Sequence, residues 1–219
     1  MKKLLTVLLC LVLVFSLAAC GAKDDTPQPP KTLEVQFSAD LPGYFFDYAM
    51  QYRFDYIPVF EEGAAPTESP EYLLWAFAIN LDNWGDQKGK MTAEYVEEMV
   101  EKHFGVTELE HQTMFKCWNY ADGIYTAVPS GIKELPMFAL TAASATETED
   151  GYIFRLEMDE CMLESGYIPT EADYDEARNN ISNGERFYLK TLNHHIFTFS
   201  LDENSNPVFL SHSMEYVGE

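Results

Sequence analysis

The stretch "LTAASATETEDGYIFRLEM", residues 140–158, decides the fold class. Extended runs flank Glu149-Asp150-Gly151, and an Asp-Gly between such runs is the strongest short-range hairpin signal. The pattern recurs upstream in "MFKCWNYADGIYTAV", residues 114–128, around Asp122-Gly123. A last pair of extended runs follows downstream, "ERFYLKTLNHHIFTFSL" (185–201) and "PVFLSHSMEYV" (207–217), joined by "DENSN". The C-terminal half therefore reads as antiparallel strands.

The preceding segment has the helical period. In "SPEYLLWAFAINLD" (69–82), Ser69 can cap the first amides, Pro70 suits the first helical position, and Glu71 favours the positive end of the helix dipole. Apolar residues surround this helix, which places Leu73, Leu74, Phe77, Ala78 and Leu81 centrally in the core. A second helix follows, capped by Thr92 and stapled by Met91 onto Val96. Tyr95, Val96, Met99, Val100 and Phe104 form one face, and Gly105 stops it. Leu33, Val35 and Phe37 alternate as a short strand, whereas "GYFFDYAMQYRFDYIPVF" (43–60) mixes both periods and stays unassigned.

Helices followed by strand pairs make an α+β domain over residues 32–219, with two N-terminal helices on one face of a curved antiparallel sheet built from hairpins. A cystatin-like or NTF2-like arrangement is the nearest analogy, and analogy of fold carries no function.

The N-terminus supplies an address. Lys2 and Lys3 precede an apolar run, Leu4 to Phe15, which gives way to small residues at Ser16 to Ala19, the layout of a signal peptide over residues 1–19. The run is well short of the roughly 20 residues that cross a bilayer. Leu17-Ala18-Ala19-Cys20-Gly21 resembles the lipobox of bacterial lipoproteins. That resemblance implies cleavage before Cys20, a diacylglycerol on its sulfur and a cell-membrane location facing outside the cytoplasm, with the lipid as the link to the membrane. "GAKDDTPQPPK" (21–31) then reads as a polar, proline-rich tether, so residues 20–31 form the anchor.

Charge excludes some partners. Against 36 acidic side chains stand 14 basic ones, for a formal charge of −22, and cleavage at Cys20 removes two more lysines and no acid. Nucleic-acid affinity rests on basic groups displacing counterions, so no nucleic acid is expected as a partner. At 47% hydrophobic residues the chain can bury a core. Cys117 and Cys161 remain in the mature chain, and two readings stay open for them: a disulfide, or two buried thiols.

Catalytic spacings are missing: there is no Gly-x-Ser-x-Gly, His-Glu-x-x-His, P-loop or Cys-x-x-Cys. In the acidic segment 157–185, Asp173-x-Asp175 is not continued at EF-hand spacing, so neither a metal nor a cofactor is expected. Histidines offer a sharper pattern. A straight ladder across a four-residue loop, Asp202 to Ser205, sets His195 opposite His212 on the apolar face, while His194 points the other way. Two histidines leave a zinc site short of ligands, so the pair reads as hydrogen-bonded core, and a register shift of two would make it diagonal. Aromatics give the candidate ligand surface: Trp84 in the polar "LDNWGDQKGK" (81–90), with Trp118 and Tyr120 in the first hairpin. The expectation is a lipid-anchored, non-enzymatic binding or interaction domain whose partner is a protein or a carbohydrate. The alternatives are an extracytoplasmic hydrolase using carboxylates or histidines, and a structural component of the envelope.

Overall fold

The computed structural model describes residues 32–34, 41–80, 89–128, 137–163, 171–183, 185 and 189–217. Helices and antiparallel sheets are mixed, an α+β architecture. A five-stranded sheet runs in the order β1-β5-β6-β7-β8, from β1 (Thr32–Glu34), β5 (Met137–Thr148), β6 (Gly151–Leu163), β7 (Leu189–Leu201) and β8 (Pro207–Tyr216). A second sheet has the order β2-β4-β3, from β2 (Lys90–Thr92), β3 (Trp118–Ala121) and β4 (Ile124–Ala127). The first hairpin thus pairs with β2 rather than joining one continuous curved sheet, because Lys90–Thr92 takes up the free edge of β4.

The two Asp-Gly turns differ. Asp122 and Gly123 both have positive φ (51° and 74°), the geometry that keeps a two-residue hairpin in twist with its strands. In the second hairpin Thr148 pairs with Gly151, so the loop is Glu149-Asp150 and Gly151 opens β6 at φ 132°. Glycine tolerates that angle, and the turn moves one residue upstream of the expected one.

The unassigned aromatic stretch contains α1 (Leu41–Gln51) and a 3-10 turn, Phe54–Tyr56. It supplies much of the core. The Phe54 ring lies 4.7 Å from Phe197 and 5.2 Å from Phe209, and its full burial contributes about 1.5–3 kcal/mol. In α2 (Pro70–Ile79), Tyr72, Leu73, Trp75 and Ala76 are fully buried, whereas Leu74 is exposed, contrary to expectation. Leu81 lies outside the described residues. Ser69 does not cap the helix with its side chain; its hydroxyl accepts instead from the Gln112 amide at 2.8 Å, tying α2 to a distant loop. In α3 (Ala93–Phe104), Thr92 accepts from the Tyr95 amide at 3.2 Å and Gly105 ends the helix at φ 68°. Val96, Val100 and Phe104 are buried as the period predicts. Within the acidic segment, Glu171–Ser182 forms α4, against α1 and β5, and Ala177 and Ile181 meet Met137, Ala139 and Cys161 in a smaller cluster.

Candidate functional site

The C-terminal hairpin gathers the buried polar groups, and its register decides how they meet. Leu201 pairs with Pro207, so the loop has five residues, not four. Asp202 holds it by accepting from the amides of Asn204 and Asn206 at 2.9 and 2.8 Å. A bulge between Thr198 and Phe199 adds one further residue on β8. His195 therefore faces Met214, and His212 faces Phe197. Each one-residue displacement alone would swap every side chain to the opposite face, but together they restore it. The two histidines are thus diagonal, still on the core face, and their rings bridge the offset.

A hydrogen-bonded chain results. The Ile57 and Pro58 carbonyls both lie 3.0 Å from His212 Nδ1, so that nitrogen carries the proton. Nε2 of His212 is then an acceptor, and His195 Nδ1–H donates to it at 2.9 Å. His195 Nε2 lies 3.2 Å from Glu160 Oε2, which also accepts from Asn193 Nδ2. With Nδ1 already protonated, the last contact is attractive only when a second proton lies between His195 and Glu160. His195 and His212 are buried, while the Glu160 side chain reaches the margin at 18% exposure. The chain runs from solvent at Glu160 to the loop at Ile57–Pro58.

Electrostatics agree with this proton assignment. Burial, reinforced by the neighbouring His195, lowers His212 to about 4, so it is neutral at neutral pH. The hydrogen bond from His195 holds the Glu160 carboxyl below its ordinary value, against the opposing effect of burial. Packing fixes the rings: His212 stacks on Phe197 at 4.2 Å, and Phe138 meets His195 edge-on at 5.1 Å.

Two further histidines, His103 and His111, carry no spacing signal in the sequence. His103 in α3 is buried against Trp75, its Nδ1–H donates to the Pro207 carbonyl at 2.8 Å, and burial lowers its pKa. His111 bonds Glu97 at 2.7 Å and the Tyr125 hydroxyl at 2.8 Å, and it stacks on Tyr120. Glu160 was legible in principle. It follows Leu156 and Met158 in phase on the core face, and a carboxylate there requires a partner.

The aromatic candidates separate. Trp118 is buried, edge-on to Phe77 at 5.2 Å, so it belongs to the core and offers no stacking surface. Tyr120 is half-buried, 4.7 Å from Tyr125. Trp84 and Cys20 lie outside the described residues. Cys117 and Cys161 stand as thiols rather than a disulfide: Cys117 packs on the main core, and Cys161 lies in the smaller cluster, donating to the Asp159 carbonyl at 3.5 Å. Among the described residues no group of three or more His, Cys, Asp or Glu is placed to hold a metal ion, and no helix is long and apolar enough to cross a membrane. No protein-family model, curated protein or solved structure matches this chain.

Proposed function

We propose that this chain is a lipid-anchored domain, displayed outside the cytoplasmic membrane, that binds a protein or carbohydrate partner and does not transform it. The observation that carries the proposal is Leu17-Ala18-Ala19-Cys20-Gly21 at the end of a short apolar run, followed by the proline-rich tether 21–31. The fate of the histidines supports binding over catalysis. His212 Nδ1 is committed to two backbone carbonyls, and His212 Nε2 and His195 Nδ1 to each other, so those nitrogens hold a loop on a sheet. The helices lying on β5 and β8 are compatible with the finer cystatin-like or NTF2-like arrangement.

Intact mass and membrane partitioning of Cys20→Ser test the anchor. The expected outcome is loss of the lipid mass and release from the membrane fraction; an unchanged mass with full retention would remove the proposal's foundation. One contact favours the hydrolase alternative: Glu160, a carboxylate positioned by His195 and reaching solvent at 18% side-chain exposure, is the group of this chain that could act as a general base. Turnover of a ligand recovered from envelope extracts, lost in His195→Gln, would establish that alternative.

A further inference from the structure

β8 is the outer strand of the five-stranded sheet, and among the described residues its outer edge makes backbone bonds only at His212, the sixth of its ten residues. Phe60 exchanges both backbone bonds with His212, each at 2.9 Å, on the side away from β7. Outward-facing groups alternate along a strand, so the amide and carbonyl of Met214 and Tyr216 face outward as well. The inward amide of Val217, bonded to the Leu192 carbonyl at 3.0 Å, fixes the same phase. Among the described residues no backbone bond reaches the outer side of Met214 or Tyr216. The chain's own loop does not extend the pairing among the described residues, and the Pro58 carbonyl is engaged by His212 Nδ1 at 3.0 Å. Antiparallel continuation from Phe60–His212 brings Pro58 opposite Met214, and proline has no N–H to give.

The side chains along this edge describe what would fit. Met214 and Tyr216 are 50% and 71% exposed and share the face of His212. Glu215, also exposed, lies on the opposite face, level with His194 and its flanking carboxylates Glu157 and Asp159. Natural edges are usually blunted by lysine, proline or a covering loop, and this one presents two large apolar side chains. Directly opposed residues of an antiparallel pair share a face, so an added strand meets apolar groups on one face and acidic groups on the other. A second copy would meet Glu215 and a chain of charge −22 with its own like charge.

We propose that β8 accepts, by antiparallel strand addition at Met214–Tyr216, an extended segment of another protein in which apolar and basic side chains alternate. The main-chain bonds would supply affinity and the alternation would supply specificity. The proposal rests on the interaction-domain reading and names its surface and partner class.

The probe is a blocked octapeptide alternating lysine with valine, compared with one alternating glutamate with valine, added to the purified protein. Amide resonances and hydrogen exchange are followed at Met214 and Tyr216. The lysine peptide should slow exchange at both amides and bind at least tenfold more tightly than the glutamate peptide. Met214→Pro removes an outward donor and no ladder bond, so it should retain the melting temperature and lose at least tenfold in affinity. If that variant unfolds, Tyr216→Pro, at the strand's end, replaces it with the same expectation. Unprotected amides, equal binding of both peptides, or full affinity in a folded proline variant would overturn the proposal. Protection that instead grows with protein concentration in the absence of peptide would assign the edge to a second copy and overturn it too. Should the edge fail while an envelope ligand is still recovered unchanged, the interaction-domain reading survives and only this surface is lost.

Discussion

His194 and His195 are consecutive residues on β7, and the two faces of the sheet give them different work. On the open face the His194 ring lies between Asp159, 2.8 Å from Nδ1, and Glu157, 3.5 Å from Nε2, with a quarter of its side chain exposed. On the core face His195 is enclosed by Phe138 and Phe197 and bonded through His212 to a loop that lies 155 residues before His212 in the chain. The first arrangement is a screened surface contact, which contributes little. The second is a buried polar network in which each member satisfies the next, so removing one member leaves others unpaired. The difference follows from strand alternation alone, since both residues are the same chemical group.

The comparison breaks most sharply at His212. His212→Ala should cost about 3–5 kcal/mol in denaturant melts: it leaves the His195 N–H and two loop carbonyls without their partner and opens a void against Phe197. A cost under about 1 kcal/mol would show that the network does not hold the Ile57–Phe60 loop.

A pH titration of stability sharpens the same contrast with a somewhat smaller effect. The unfolded chain protonates histidine near 6.5, whereas native His212 resists until about 4. Between those values the unfolded state binds the extra proton, so stability should fall as pH drops through that window, by about 3 kcal/mol from this group. His103, lowered by burial, acts in the same direction. Glu160 adds stability above its unfolded pKa that is lost as pH falls through its lower native value. Unfolding free energies at several pH values, with His212→Gln for comparison, provide the check; an equal slope in both proteins would refute the assignment.

The smallest effect belongs to the open face. His194→Ala should change stability by no more than about 1 kcal/mol, with its loss shrinking further in high salt. A cost matching that of His212→Ala would mean that the face is covered and that the contrast is false.

Much of the fold was legible because its signals are local. Thr92 and Gly105 bound α3 by their own capping chemistry, and Asp122-Gly123 forms its turn from two residues that accept positive φ. The segment 43–60 was not legible. Its helix and 3-10 turn bury Tyr48, Tyr52 and Phe54 against strands some 150 residues away, and neither period prevails over so short and aromatic a run. The site was half-legible: the phase of His195 and His212 follows from alternation, but their partners do not.

What the sequence by itself determined was the acidic composition, the antiparallel character of the C-terminal half and the faces on which His194, His195 and His212 fall, because each depends on residue content, on neighbouring residues or on a period of two. Only the tertiary structure decided that β3 and β4 form a separate sheet, that Trp118 is core, that Cys117 and Cys161 lie in different clusters, and that Glu160, His195 and His212 connect to Ile57 and Pro58. The last of these turns on one five-residue loop, one bulge and the docking of a distant segment. Each outcome is fixed by packing between residues far apart in the chain, which no local pattern encodes.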